Sequence, residues 1–144
     1  MLFRSAAAAL GLWSRAGAED ERVAKLMREK LERSQKILEA LALEDYGVIA
    51  RNADQLGVLS QAAAWNVLQT PEYAAHSADF LRLTQKLGRM AREKNIDGAT
   101  LAYVELTINC VACHRHVRSV KTANLDAGPA PGLAQRRESR RRAD

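Results

Sequence analysis

The chain has 144 residues, 47% hydrophobic and 27% charged, with eight glycines and three prolines. That is the composition of one globular domain, and it excludes collagen-like, low-complexity and wholly disordered chains. The formal net charge of +5 is carried by the ends, by Arg4 and Arg15 in residues 1–18 and by five arginines against Glu138 and Asp144 in residues 136–144; the neutral body between them has no nucleic-acid footprint, and no run of about 18 apolar residues marks a stable membrane span.

Residues 1–18 read as an export signal. Arg4 is a short basic start, Ser5 to Trp13 an apolar stretch, and Ala16-Gly17-Ala18 a small-residue cleavage site before Glu19-Asp20-Glu21. The expected mature chain begins at Glu19 and is periplasmic, where a free thiol pair meets oxidising conditions. The alternative is an Ala-rich start on a cytosolic protein.

The body, residues 19–121, is helical in pattern throughout. Met27, Leu31, Ser34, Leu38 and Leu41 recur at steps of three and four, as do Ile49, Ala53, Leu56, Leu59 and Ala63. A third series runs Phe80, Thr84, Leu87 and Ala91. The fourth region holds two series, Leu101, Val104, Ile108 and Val111 beside Leu106, Cys110, Cys113, Val117 and Val120. Breaks at Leu43-Glu44-Asp45, at Thr70-Pro71 and at 95–98, with Asp97 as a cap, predict helices over 21–42, 45–69, 71–94 and 97–121. Such short connections make consecutive helices antiparallel neighbours, an all-α, up-down-up-down four-helix bundle. Charged positions such as Lys30, Glu32 and Arg33 are read as the outward face of the first helix. Ala62, Ala63, Ala64 and Val67 leave a smooth face on the second, suited to a homodimer. Residues 122–144, with two Gly-Pro-type breaks and the arginines, read as a disordered basic tail.

The chemistry sits in Cys110-Val111-Ala112-Cys113-His114, the C-x-x-C-H signal of covalent haem c attachment. On a helix Cys113 lies about 60° to one side of Cys110 and His114 about 40° to the other. Two thiols can then add to the haem vinyl groups while the imidazole reaches the iron from the same side. A thioredoxin-like C-x-x-C needs a strand-to-helix context that this pattern lacks. A zinc site with His116 fails on direction, since His116 points about 240° round the helix from Cys110, and a disulfide within one helical turn is strained. The body keeps only Tyr46, Trp65, Tyr73, Phe80 and Tyr103 as aromatics, a lean core with space for a large apolar cofactor.

An exported four-helix bundle with this motif in its last helix, and a basic residue, Arg118, four places after the histidine, resembles the cytochrome c′ family and its low-spin relatives with a methionine ligand. The resemblance implies His114 as proximal ligand, methionine or an apolar residue on the distal side, and a dimer. It departs at Val23, four places before Met27, where the family often has arginine, leaving Arg22 and Lys25 to take a haem propionate, or Arg118, which also stands to tune His114.

Depth along the helices places Met27 level with His114 as metal ligand and Leu31 one turn deeper, with Trp65 near the end of the second helix against the ring. His76 offers bis-histidine ligation, Met90 lies below the haem as core, and His116 is solvated. Two ligands imply a low-spin one-electron carrier that meets redox partner proteins and turns over no substrate of its own. Without the Met27 bond the iron is five-coordinate and binds NO or CO. A haem-free helical interaction module is the third reading.

Overall fold

The computed structural model describes residues 6–62, 65 and 67–126. Four helices pack against one another, α1 (Ala6–Ala42), α2 (Tyr46–Leu59), α3 (Pro71–Arg92) and α4 (Ile96–Asp126), and no strand occurs among the described residues. Cross-helix pairs show the directions. Tyr103 Oη donates to the Ser34 carbonyl at 3.1 Å while Lys30 lies near Cys110, so α1 and α4 are antiparallel. Arg92 pairs with Asp54 and Gly57 approaches Thr84, so α2 and α3 run oppositely too. Lys86 and Glu105, 2.7 Å apart, with Asn109 donating to the His76 carbonyl, give the same sense for α3 and α4.

The ends follow local chemistry. Asp45 caps α2, its carboxylate accepting the Val48 N–H at 3.0 Å, and Thr70 caps α3 by accepting the Tyr73 N–H at 3.2 Å, with Pro71 following. Each side chain satisfies one of the N–H groups a helix start leaves without a partner. The cap of α4 is Asn95 rather than Asp97: Asn95 Oδ1 accepts the Gly98 N–H at 2.8 Å, and Asp97 falls in the first turn. Glu44 and Lys94, in the connections, take positive φ of 52° and 56°, the left-handed step by which a short link reverses the chain.

The core series of α3 holds, and that of α2 holds as far as Leu56; Leu59 is half-buried and Ala63 lies outside the described residues. Ile49, Ala53, Leu56, Phe80, Thr84, Leu87 and Ala91 are all buried, and Met90 packs against the core beside Gly98 at the end away from the C-x-x-C-H motif. In α1 the stripe is rotated from the expected one. Leu26, Ile37, Ala40 and Leu41 are buried, whereas Leu31 and Leu38 are 58% and 56% exposed; Lys30 and Arg33, expected outside, are half-buried. In α4 the series through Leu106 and Cys110 faces inward, and Leu101, Val104, Ile108 and Val111 form an exposed apolar stripe on the opposite side. Residues 96–124 are therefore long and apolar enough to span a bilayer by length and composition, yet this helix packs on α3 through its inward face.

Three boundaries differ from expectation. Helix α2 stops at Leu59, ten residues early, so Ala62 and Val67 belong to a connection and supply no smooth helical face; Ala63 and Ala64 lie outside the described residues. Helix α4 continues through 122–126, where the tail was expected to begin, and 127–144 lie outside the described residues. At the other end α1 runs through Ala16-Gly17-Ala18; residues 1–5 of the expected signal lie outside the description.

Candidate functional site

At the end of the bundle formed by the first half of α1, the start of α3 and the last turns of α4 there is a cavity of about 420 Å³. This is within the usual range of small-molecule and cofactor sites, about 300–1,000 Å³. Its wall on α4 is Asn109, Cys110, Cys113, His114, Val117 and Lys121, and on α1 it is Glu19, Asp20, Val23, Met27 and Lys30. Trp65, Val67 and Leu68 close it from the α2–α3 connection, and Tyr73, His76 and Phe80 from α3.

Helical spacing explains the α4 wall. Positions 106, 109, 110, 113 and 117 lie within one face, so the inward stripe of Leu106 continues into both cysteines and Val117. Cys110 and Cys113 are free thiols, half-buried. Burial pushes both thiol pKa values up, with the nearby Lys30 charge pulling them back. His114 sits largely exposed at the rim; partial burial, then the charges of Lys30 and Arg118, hold its pKa below the ordinary value. An imidazole biased to its neutral form keeps a lone pair available to a metal.

The connection after α2 is built around Trp65, 3% exposed. Its Nε1 donates to Ser77 Oγ at 2.8 Å, its carbonyl accepts from the Tyr73 hydroxyl, and its ring centroid lies 4.9 Å from that of Phe80. Over this aromatic pair sits the ammonium of Lys30, 3.9 Å from the Trp65 ring centroid and 4.3 Å from that of Phe80. Burial lowers its pKa from 10.5 to about 8, against the opposing pull of the Cys110 and Cys113 thiolates.

Met27, half-buried, lines the same cavity as His114 from α1. Cys110, Cys113, His114, Met27 and Trp65 thus meet in one place. Leu31 does not: it is on the outer surface of α1 and has no place in this wall. Arg118 is exposed and outside the cavity, acting on His114 only through its charge. Arg22 donates to the Ala18 carbonyl on its own helix, and Lys25 is exposed. His116 is not solvated as expected; Thr70 Oγ1 lies 2.8 Å from its Nε2, tying α4 to the cap of α3. His76 lines the cavity, its ring 6.2 Å from that of His116.

Sequence reasoning missed Lys30, Asn109, Tyr73 and Lys121. The signal for Lys30 was present: it stands four places after Leu26 and seven before Ile37, on the stripe both occupy. Asn109 donates to the His76 carbonyl, and its buried Oδ1 has no partner among the described residues.

A haem group fits these walls by chemistry. Two thiols and an imidazole come from one helix and a thioether from another, with Val23, Trp65, Leu68, Tyr73, Phe80 and Val117 as apolar and aromatic lining between them. Asn109 Oδ1 is a buried polar atom without a partner among the described residues, the kind of group a bound cofactor can satisfy. No group of three His, Cys, Asp or Glu side chains among the described residues is placed to hold a bare metal ion. No family model, curated protein or solved structure matches the chain.

Proposed function

We propose that the protein is an exported monohaem c-type cytochrome of the cytochrome c′ kind that carries single electrons between redox partner proteins. The observation that carries this reading is the convergence of Cys110, Cys113 and His114 from one face of α4 on a cavity that Met27 lines from α1. When bound, haem c supplies the one-electron iron couple.

The remaining work belongs to the chain. Cys110 and Cys113 would hold the group covalently against α4. His114 would offer its imidazole nitrogen to the iron and Met27 its sulfur to the ferrous iron, a pairing that raises the potential. Trp65, Tyr73 and Phe80 exclude water from the interior side, lowering the dielectric around the iron. His114, exposed at the rim of the cavity, would keep the bound group within reach of a partner.

The ferrous optical spectrum of the purified holoprotein tests the reading. A sharp low-spin α-band is expected, and Met27→Ala is expected to convert the ferrous protein to a high-spin spectrum. A wild-type ferrous spectrum that is broad, high-spin and altered by NO or CO contradicts the carrier and marks a gas-binding cytochrome instead.

A further inference from the structure

Lys30 is a half-buried cation of the cavity wall that rests on aromatic rings rather than on a carboxylate. Its Nζ rests over Trp65 and Phe80 inside the wall, and no carboxylate pairs with it among the described residues. The carboxylates of the same cavity, Glu19 and Asp20, stand on α1 some ten residues earlier, roughly 15 Å away along the axis. Its charge acts on both thiols and on the His114 imidazole, which places the amine between the two walls. It follows Met27 by three residues on the same helix, about 4.5 Å further along and about 60° round. Met27 and Lys30 therefore offer a sulfur and a nitrogen donor from adjacent points of one wall.

We propose that the Lys30 amine is a second distal ligand, held over Trp65 and Phe80, which binds the ferric haem iron in place of the Met27 thioether. This rests on the haem reading above. The chemical ground is donor softness: a thioether suits the softer ferrous ion, and an amine nitrogen the harder ferric ion. Burial supports it by favouring the neutral amine, the form with a free lone pair. The exchange balances without an oxidant beyond the partner that takes the electron. As the iron is oxidised by one electron, Lys30 gives its proton to water and its lone pair to the iron, and Met27 leaves as an uncharged thioether. Reduction reverses each step. The device makes electron transfer proton-coupled and slows it by the ligand exchange.

The test uses purified holoprotein, with haem attachment established by mass in every sample. Ferric wild type, Lys30→Ala, Lys30→Arg and Met27→Ala are compared by electron paramagnetic resonance and by the weak red sulfur-to-iron charge-transfer band. Arginine keeps the cation over the rings yet does not deprotonate in proteins, so it separates charge from ligation. The expected wild-type ferric spectrum is low-spin without the sulfur band. Both Lys30 variants gain that band and keep the ferrous spectrum, whereas Met27→Ala keeps the ferric spectrum and loses the low-spin ferrous one. A wild-type ferric protein that shows the sulfur band, or is high-spin, overturns the proposal, as does a ferric spectrum unchanged in both Lys30 variants. Absence of covalent haem instead overturns the cytochrome reading, and this inference falls with it.

Discussion

An ammonium held over aromatic rings near two thiols gains cation–π attraction and loses hydration; for Lys30 the lost hydration outweighs the pull of the two thiols and lowers its pKa to about 8. The sign of the pH effect follows. Between about pH 8 and 10.5 the unfolded chain carries a proton on Lys30 that the folded chain has released. The contribution of this residue to stability is therefore lowest below pH 8 and rises with pH through that window. In the haem-free polypeptide, Lys30→Met keeps the stem and removes the titration. Thermal melts at pH 7 and pH 10 should show the wild type gaining on the variant as pH rises. The Lys30 charge also acts on both thiols, so the comparison is made with Cys110 and Cys113 replaced by serine in both proteins; a pH-independent difference contradicts the buried amine. At this scale the sequence disclosed the motif residues, because C-x-x-C-H has a fixed geometry on any helix. It hid Lys30 because a charged side chain was read as solvated, although its spacing from Leu26 and Ile37 puts it on the inward stripe. Leu31 failed for the complementary reason: the α1 stripe was centred on leucines, and leucines at the margin of a helix face remain exposed.

Helix α2 shows how tertiary packing overrides local propensity. Its Ala-rich continuation favours helix by only a few tenths of a kcal/mol per residue, whereas burying a Trp contributes about 2–3 kcal/mol or more. Leaving the helix at Leu59 lets Trp65 turn inward, where Ser77 and Tyr73 satisfy its polar atoms, and lets Thr70 reach the cap of α3. Nothing in the periodicity of 60–69 announces that turn. The cap itself was legible, because Thr-Pro before an apolar series has one reading. Thr70→Ala should cost about 1 kcal/mol of stability in urea or thermal unfolding, and the His116 ring should lose its tie to α3, measurable as a shifted His116 resonance. Unchanged stability contradicts the capping role. The two apolar series of α4 posed a different difficulty. Both have helical spacing, and only the position of α3 decides that Leu106 and Cys110 face inward while Ile108 and Val111 face out.

As a whole the molecule is a four-helix bundle with its chemistry at one end. Caps and connections, Asp45, Thr70-Pro71 and Asn95, set the helix order, and antiparallel packing then brings residues 27, 65 and 110–114 together from distant parts of the chain. That convergence was expected from helix depths counted from ends at 21 and 121; with α1 starting at Ala6 and α4 ending at Asp126 those depths no longer match, and the antiparallel pairing of Ser34 with Tyr103 and of Lys30 with Cys110 is what brings Met27 to the level of His114. The lining of the cavity was not, because it depends on the rotation of α1 and the early end of α2. Ending the helix there is what turns an Ala-rich segment into the aromatic floor of the site. The central claim is that Cys110 and Cys113 carry a covalently bound haem, and intact mass spectrometry of the mature polypeptide, purified after expression with a haem-ligation system, tests it most directly. The account predicts a chain beginning at Glu19 with the mass of one added haem, absent when both cysteines are replaced by serine; a mature wild-type chain with no added porphyrin mass contradicts it.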